Sequence, residues 1–326
     1  MLCIHNTSMD PIFNVAAEEY LLKDRGEDFF VLWCSRPSII IGKHQNAYAE
    51  INFEFVREND IEVVRRLSGG GAVFHDPGNI NYTFIRSVPP GTGIDFVRYT
   101  TPILEVLQDL GVDAQLTGRS DLTIAGWKFS GNAQYIYRNR VLHHGTMLFS
   151  SEIKNLSAAL QVNPDSYQDR AIQSNRSTVT NIQQHLSRQM GILEFIDLVM
   201  EYVVSCNPDT ALYRLTAQDK QNIQRYSREK YATWEWNFGF SPPYSFARSS
   251  RFMNTPVEIH LKVRQGIIQT VRISGDFADH QTISDLEERL TGVSHRHDTI
   301  LETMHKVPFF ARLEADSLEG FIQLMF

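Results

Sequence analysis

The chain has 326 residues, enough for one large domain with a small one or for two medium domains. Its apolar fraction of 42% is ordinary for a globular protein, and its formal net charge of −7 argues against duplex nucleic acid or an anionic membrane as the main partner. Cys3, Cys34 and Cys206 are too few and too widely spaced for a disulfide framework, and neither a secretory signal nor a run of roughly 18 apolar residues is present, so we expect a cytoplasmic location.

The N-terminal part of the chain predicts a helix followed by several short strands. The helix lies in SMDPIFNVAAEEYLLKDRG, where Asp10 can cap it, Pro11 fits its first turn and Gly26 follows its last apolar residues. The strands are predicted, in chain order, in FFVLW, SIIIGK, IEVVRR and INYTFIR. A run of three glycines separates the last two strands and therefore forms a strand–loop–strand element.

The remaining sequence predicts further helices and strands. TPILEVLQDLG has helical spacing and ends at Gly111, and GILEFIDLVMEYVVSC is a second strong helix. Between them, NAQYIYRNRVLHHGTMLF is typical of a hairpin that turns near Asn139. Prolines and serines cluster over residues 240–250 as in a linker, and a self-contained α+β pattern follows. We therefore predict domains at 1–248 and 249–326.

The glycine run in RRLSGGGAVFHD matches neither common phosphate-loop motif, since no GK[ST] follows and a strand, not a helix, comes next. Three residues without side chains nevertheless let backbone N–H groups lie against an anion. Arg65 and Arg66 alternate in direction along a strand, so only one can face that site, and we predict that Arg66 grips a phosphate. The alternative is a tight turn between packed sheets with both arginines on the surface.

A second cluster lies in GRSDLTIAGWKFSGNAQ. Lys128 stands between Trp127 and Phe129 with glycines nearby, and a partly buried ammonium needs an anionic partner. We predict that Lys128 neutralises charge that develops in a transition state, the alternative being a lysine that extends over an apolar strand. Asp121 could ligate a magnesium ion or could be a turn residue, and His144 could face the site or belong to the core.

Together these segments resemble the lipoate–protein ligase family. The resemblance covers nearly all of the first 240 residues and is carried by RRLSGGGAVFHDPGNINYTF (65–84), GRSDLTIAGWKFSGNAQ (118–134), HHGTMLF (143–149), SNRSTVTN (174–181) and WEWNFG (234–239). It implies an α+β fold, a mixed β-sheet core with flanking helices akin to biotin–protein ligases and class II aminoacyl-tRNA synthetases. It also implies that the C-terminal segment is a small α+β accessory domain.

The resemblance further implies a reaction in two steps. Lipoate and ATP, with Mg²⁺, would give lipoyl-AMP and pyrophosphate, and the lipoyl group would then pass to a lysine of an apo lipoyl domain of a 2-oxoacid dehydrogenase complex or of glycine cleavage H protein. Lys128 would touch the α-phosphate and the lipoate carbonyl, Arg66 would bind ATP phosphate, and residues 169–181 would form a mobile loop. The nucleotide and the acyl group would be lined by Ser68, Gly69, Gly70, Gly71, Ala72, Val73, Phe74 and His75. We also expect a monomer, with no nucleic-acid or membrane partner because of the negative net charge, and the choice between lipoate and octanoate stays open.

Three other functional hypotheses stay open at this point. An ATP-independent octanoyl or lipoyl transferase would form a thioester on a cysteine, but no cysteine lies beside the glycine run or Lys128 in sequence, and Cys34 is typical of a packed thiol. A non-catalytic lipoate-binding protein would not need both Arg66 and Lys128. A biotin ligase is disfavoured by the FHDPGN and HHGT segments.

Overall fold

The structure is a computed structural model that describes residues 1–160, 166–174, 177–206 and 209–326. The chain forms two compact units, and each collects segments from several parts of the sequence. The first contains Met1–Lys43, Ile61–Ala158 and Ser174–Thr233, and the second contains His44–Asp60, Ala159–Gln173 and Trp234–Phe326. The division of the chain near residue 248 stays a prediction.

The elements are numbered in chain order. The strands are β1 (Leu2–Asn6), β2 (Phe29–Trp33), β3 (Ser38–Ile41), β4 (Glu62–Arg65), β5 (Val73–His75), β6 (Asn79–Ser87), β7 (Ala114–Thr117), β8 (Asp121–Ile124), β9 (Trp127–Tyr137), β10 (Arg140–Leu148), β11 (Tyr167–Asp169), β12 (Ala211–Leu212), β13 (Tyr244–Phe252), β14 (Thr255–Arg264) and β15 (Ile267–Ser274). The helices are α1 (Pro11–Lys23), α2 (Ala47–Glu50), α3 (Phe53–Glu58), α4 (Val97–Asp109), α5 (Ile153–Ala159), α6 (Ile192–Ser205), α7 (Ala217–Tyr226), α8 (His280–Leu290), α9 (His297–Met304) and α10 (Ala315–Gln323).

The first unit is built on a mixed sheet of eight strands in the order β12-β1-β2-β6-β10-β9-β8-β7, with a smaller sheet in the order β4-β3-β5. The β1–β2 pair is parallel, and the pairs from β2 through β6, β10 and β9 are antiparallel. Apolar residues of α4 and α6, among them Ile103 and Phe195, share one core with Tyr82 and Phe84 of β6. The predicted α+β fold with a mixed sheet and flanking helices is confirmed.

Helix α1 begins where the sequence predicts. The carboxylate of Asp10 accepts hydrogen bonds from the backbone N–H groups of Ile12 (2.9 Å) and Phe13 (3.4 Å), so it satisfies donors that the first turn leaves without partners. The helix contacts β4, β6 and β10. It approaches the sheet from the face opposite to Tyr82, since its Glu18 side chain bonds to the alternate residue Thr83.

The second unit holds a sheet in the order β11-β13-β14-β15, and its alternating apolar residues pack against α8, α9 and α10. The prediction of an irregular linker over residues 240–250 is wrong for most of that range. Residues from Tyr244 to Phe252 form β13 and pair with β14 along their whole length. Buried Tyr244 and Phe246 explain the strand, because burial of aromatic side chains outweighs the turn tendency of the neighbouring serines. Within the part of the chain that is described, no helix is long and apolar enough to cross a bilayer.

Candidate active site

The glycine run forms a loop that connects β4 to β5 across the end of β3. β3 pairs in parallel with β4 and antiparallel with β5, so the connection must pass over Gly42, the residue after β3. The loop and the segment after β3 approach so closely that a Cβ atom on Gly42 would overlap the carbonyl oxygen of Gly70. Gly70 has φ +89°, which glycine adopts without strain. The loop therefore depends on glycine at both positions.

The guanidinium group of Arg66 lies inside this loop. It donates hydrogen bonds to the carbonyl oxygens of Gly69 (2.7 Å), Gly71 (2.8 Å) and Ile40 (2.9 Å). Burial lowers the pKa of Arg66 to about 10, so the group still carries its charge at neutral pH. Arg65 is also buried and donates to the carbonyl oxygen of Gly42 (3.1 Å). Neither arginine is on the surface, and Arg66 holds the shape of the loop from within.

A chain of buried polar groups continues from Arg66 to helix α1. The Nε of Arg66 donates to the hydroxyl oxygen of Ser68 (3.0 Å), and that hydroxyl lies 2.6 Å from Nε2 of His144 on β10. The other ring nitrogen of His144 lies 2.9 Å from the Glu18 carboxylate, which also accepts a hydrogen bond from Thr83 (2.6 Å). In a neutral imidazole this arrangement makes Nδ1 the donor to Glu18 and leaves Nε2 to accept the Ser68 proton.

Beside this chain lie buried polar atoms without partners among the described residues. They are both ring nitrogens of His75, Nε1 of Trp33 and Oδ1 of Asn79. The rings of Trp33 and His75 meet edge to face with centroids 5.4 Å apart. Burial, together with the charge of Arg66, lowers the pKa of His75 to about 3. Because buried polar groups are nearly always hydrogen-bonded, these atoms indicate a place that a ligand or water completes.

Lys128 lies near the start of β9, where the strand pairing is irregular. Thr123 of β8 pairs with Lys128 but Leu122 pairs with Ser130, so Phe129 is an extra residue in β9. This bulge places the Lys128 side chain on the same face as Asp121. The ammonium nitrogen of Lys128 lies 2.9 Å from a carboxylate oxygen of Asp121, and the two side chains are 26% and 34% exposed.

One segment contacts both the glycine loop and the Lys128 strand. The backbone N–H of Ala72 donates to the hydroxyl oxygen of Ser174 (2.8 Å). Lys128 donates its backbone N–H to the carbonyl oxygen of Thr178 (3.0 Å) and accepts at its carbonyl from the N–H of Thr180 (2.9 Å). The structure thus brings the glycine loop and Lys128 to the same short stretch of chain. Asn175 and Arg176, part of the stretch predicted to be a mobile loop, lie outside the described residues.

The remaining predicted site residues differ in how far they are exposed. Gly70 is exposed, Gly69, Gly71, Ala72 and Val73 are half-buried, and Phe74 is buried in β5. Sequence reasoning missed Glu18, because a glutamate in an apolar helix gives no sign of the histidine that it meets. It also missed Ser174, whose Oγ lies 2.9 Å from where a Cβ on Gly71 would be.

Comparisons with known proteins decide the family. The family described as Lipoyl protein ligase A/B catalytic domain matches residues 10–204, and Bacterial lipoate protein ligase C-terminus matches residues 241–325. The chain is 39% identical to lipoate–protein ligase 1 of Staphylococcus aureus over 94% of each chain. It is 37% identical to lipoate–protein ligase LplJ of Bacillus subtilis over 100% of each.

The chain belongs to the lipoate–protein ligase family. Solved structures agree with its fold. That of Plasmodium falciparum LipL1 in complex with lipoate has a TM-score of 0.64 at 22% identity and covers 99% of each chain. That of lipoate–protein ligase A bound with ATP has a TM-score of 0.59 at 22% identity, with 73% of this chain and 98% of that chain covered. The protein is a ligase, as the sequence predicted.

Two of the three thiols of this ligase do not suit a cysteine nucleophile. Burial raises the pKa of Cys3 to about 11, and burial with the nearby Asp76 charge raises the pKa of Cys34 to about 11. A thiol of that pKa is almost wholly protonated at neutral pH, whereas the thiolate is the nucleophile. Cys206 is exposed at the end of α6. The thioester alternative therefore has no activated thiol among Cys3 and Cys34.

Proposed function

We propose that this ATP-dependent lipoate–protein ligase carries out both of its steps at the glycine loop and Lys128. In the first step a carboxylate oxygen of lipoate attacks the α-phosphorus of ATP, which gives lipoyl-AMP and releases pyrophosphate. In the second, the amine of an acceptor lysine attacks the acyl carbon, which gives an amide, AMP and a proton. The acceptors we propose are apo lipoyl domains of 2-oxoacid dehydrogenase complexes and glycine cleavage H protein.

A single observation supports this assignment, namely that Ser174, Thr178 and Thr180 connect the glycine loop to the Lys128 strand. We therefore assign the glycine loop and the ammonium of Lys128 to one site, although Ala72 and Lys128 are 56 positions apart in the chain. The ammonium of Lys128 suits the α-phosphate and acyl oxygen of an adenylate, both of which accept hydrogen bonds.

In this proposal Arg66 maintains the shape of the loop, and Lys128 neutralises charge in the reaction. Arg66 keeps the glycine carbonyls turned inward and adds a buried positive charge beneath the loop. Lys128 neutralises the negative charge that grows on the acyl oxygen and phosphate as the amine attacks. We propose that the acyl chain lies beside the rings of Trp33 and His75, which meet edge to face.

The contacts of Asp121 favour an ion pair over a magnesium site. That carboxylate already faces the Lys128 ammonium at 2.9 Å, and a second cation there would be repelled. In the described ranges no group of three or more His, Cys, Asp or Glu side chains is arranged to hold a metal. Magnesium in phosphate chemistry commonly keeps several waters and binds mostly through the substrate phosphates, and we assign it no protein step. Its ligation by Asp121 stays a prediction.

The acceptor and the location extend the proposal beyond the family assignment. One solved relative is described as a bipartite lipoate–protein ligase from Thermoplasma acidophilum and its E2 lipoyl domain. By analogy we propose that this ligase also modifies lipoyl domains, as a monomer in the cytoplasm. Three free cysteines are consistent with a reducing compartment.

Mass spectrometry of an apo lipoyl domain tests the proposal directly. Incubation with the enzyme, ATP and lipoate should add the mass of one lipoyl group, and omission of ATP should abolish the gain. Lys128→Ala should reduce both this gain and lipoate-dependent ATP–pyrophosphate exchange by about 10²–10³-fold, the loss typical of one preorganised donor.

Lys220→Ala is the matched control, because Lys220 is an exposed lysine of α7 in the same unit. It should retain full activity. A lipoyl mass gain in the absence of ATP, or an unaffected Lys128→Ala enzyme, would contradict the proposal. Octanoate in place of lipoate measures the substrate preference in the same assay.

A further inference from the structure

The ion pair between Lys128 and Asp121 lies against Gly131, which leaves space for the lysine side chain. A Cβ atom on Gly131, the residue that pairs with Asp121, would lie 3.1 Å from Cε and 3.2 Å from Nζ of Lys128. The lysine side chain therefore runs back over Gly131 to reach the carboxylate. Side chains three apart in a regular strand point to opposite faces, so the bulge at Phe129 is what lets Lys128 lie above Gly131.

The backbone of Lys128 is fixed as well as its side chain. Its N–H and C=O groups are both hydrogen-bonded, to Thr178 and Thr180, on the side away from β8. A lysine side chain has four rotatable bonds and would otherwise sample many positions. With the backbone held, the Asp121 carboxylate and the open surface of Gly131 define where the ammonium lies.

We propose that Asp121 is a positioning residue, which acts through Lys128 and not through a metal ion, and that Gly131 is the surface on which the lysine is held. This inference rests on the proposed role of Lys128. Before substrate binds, Asp121 keeps the ammonium on the strand face that carries Gly131. When the adenylate is present, the three N–H donors of Lys128 allow it to face Asp121 and an anionic oxygen together.

The two possible roles of Asp121 predict different kinetic effects when the carboxylate is removed. A carboxylate near a triphosphate repels it, so its removal should not raise the KM for ATP if Asp121 only positions Lys128. Turnover should fall, because a loosely held catalytic group can lose about 10²-fold in rate. If Asp121 ligates magnesium, its removal should instead raise the Mg²⁺ concentration needed for half-maximal activity, and excess Mg²⁺ should restore turnover.

Steady-state pyrophosphate exchange with Asp121→Ala separates these roles. We expect kcat to fall about 10- to 100-fold with the KM for ATP and the half-saturating Mg²⁺ concentration unchanged, and Asp121→Glu to recover part of the loss. Asp113→Ala, which removes an exposed carboxylate just before β7, should behave as wild type. An unchanged kcat, or recovery of Asp121→Ala at high Mg²⁺, overturns the inference.

Gly131→Ala tests the same inference with the Asp121 charge intact. Its added methyl group should shift the end of the lysine side chain by a few tenths of an ångström, so kcat should fall. The double variant with Asp121→Ala should be no slower than the slower single variant, because both changes act through Lys128. Multiplicative losses in the double variant contradict this. If Lys128→Ala itself is fully active, the proposed function of Lys128 fails. If Lys128→Ala is slow while Asp121→Ala is normal, only the positioning role fails.

Discussion

The hydroxyl oxygen of Ser68 lies 2.6 Å from Nε2 of His144, although the two residues are 76 positions apart in the chain. Ser68 sits at the start of the glycine run, and His144 sits on the central strand β10 with its other nitrogen on Glu18 of α1. The loop is therefore tied through Ser68 to both a strand and a helix of the first unit. A rigid attachment of this kind suits a site in which backbone groups must be held in place for a substrate.

Ser68→Ala should destabilise the protein through its buried partners. The substitution leaves Nε of Arg66 without its hydroxyl acceptor, and leaving a buried donor without a partner costs about 1–3 kcal/mol. Urea denaturation should show this loss in the free energy of unfolding. Ser187→Ala, at an exposed position, should change it by less than about 0.5 kcal/mol. Equal stability of the two variants would show that Ser68 does not hold Arg66.

Alanine substitutions in the glycine run should differ sharply from one position to the next. Gly70 has φ +89°, and a Cβ there would lie 3.2 Å from Nη2 of Arg66, so Gly70→Ala should cost about 1–2 kcal/mol and lower adenylate formation by more than tenfold. A Cβ on Gly69 meets no atom within 4 Å. Gly69→Ala should therefore unfold at the wild-type urea concentration. Equal effects at the two positions would mean that the backbone conformation at Gly70 is not required.

The local sequence predicts those parts of the fold that depend on short-range signals. Asp10 and Pro11 mark the start of α1, and alternation in INYTFIR separates Tyr82 in the core from Thr83 on the α1 face. The prolines and serines of residues 240–250 predict a linker where the structure has most of β13. Its pairing with β11 and β14 makes it a strand, and that pairing is a tertiary property.

In the candidate site, too, local sequence predicts some features, and others depend on tertiary contacts. Glycines and basic residues in an unusual order single out the loop and Lys128, and the structure brings them to one segment of chain. The local order does not show that Lys128 pairs with Asp121, because that contact needs a one-residue bulge in β9. Nor does it show that Glu18 meets His144, since 126 positions separate them. Such contacts depend on strand register, which no short motif encodes.

Cys34→Ala should leave protein lipoylation intact. Burial and the Asp76 charge raise the pKa of Cys34 to about 11, so at neutral pH only about one molecule in 10⁴ carries the thiolate. The measurement is the lipoyl mass gain of an apo lipoyl domain with ATP and lipoate. The intact mass of the enzyme, recorded in the same reaction, should show no covalent acyl group. Loss of transfer in this variant with an acylated wild-type enzyme would favour a thioester mechanism.

The stability of the second unit should fall as the pH drops from about 6.5 to about 4, the window set by His295. Its Nε2 lies 2.7 Å from the carbonyl oxygen of Met325 and its Nδ1 lies 2.5 Å from the Tyr244 hydroxyl, and burial lowers its pKa to about 4. Between the two pKa values the unfolded chain binds a proton that the folded chain does not, so the free energy of unfolding decreases with falling pH by up to about 1.4 kcal/mol per unit. His295→Gln removes this group and should make the fall shallower in urea denaturation of the full chain, while His260→Gln, at an exposed histidine, should leave the slope unchanged. A slope that stays the same in His295→Gln would show that His295 does not titrate differently in the folded and unfolded states.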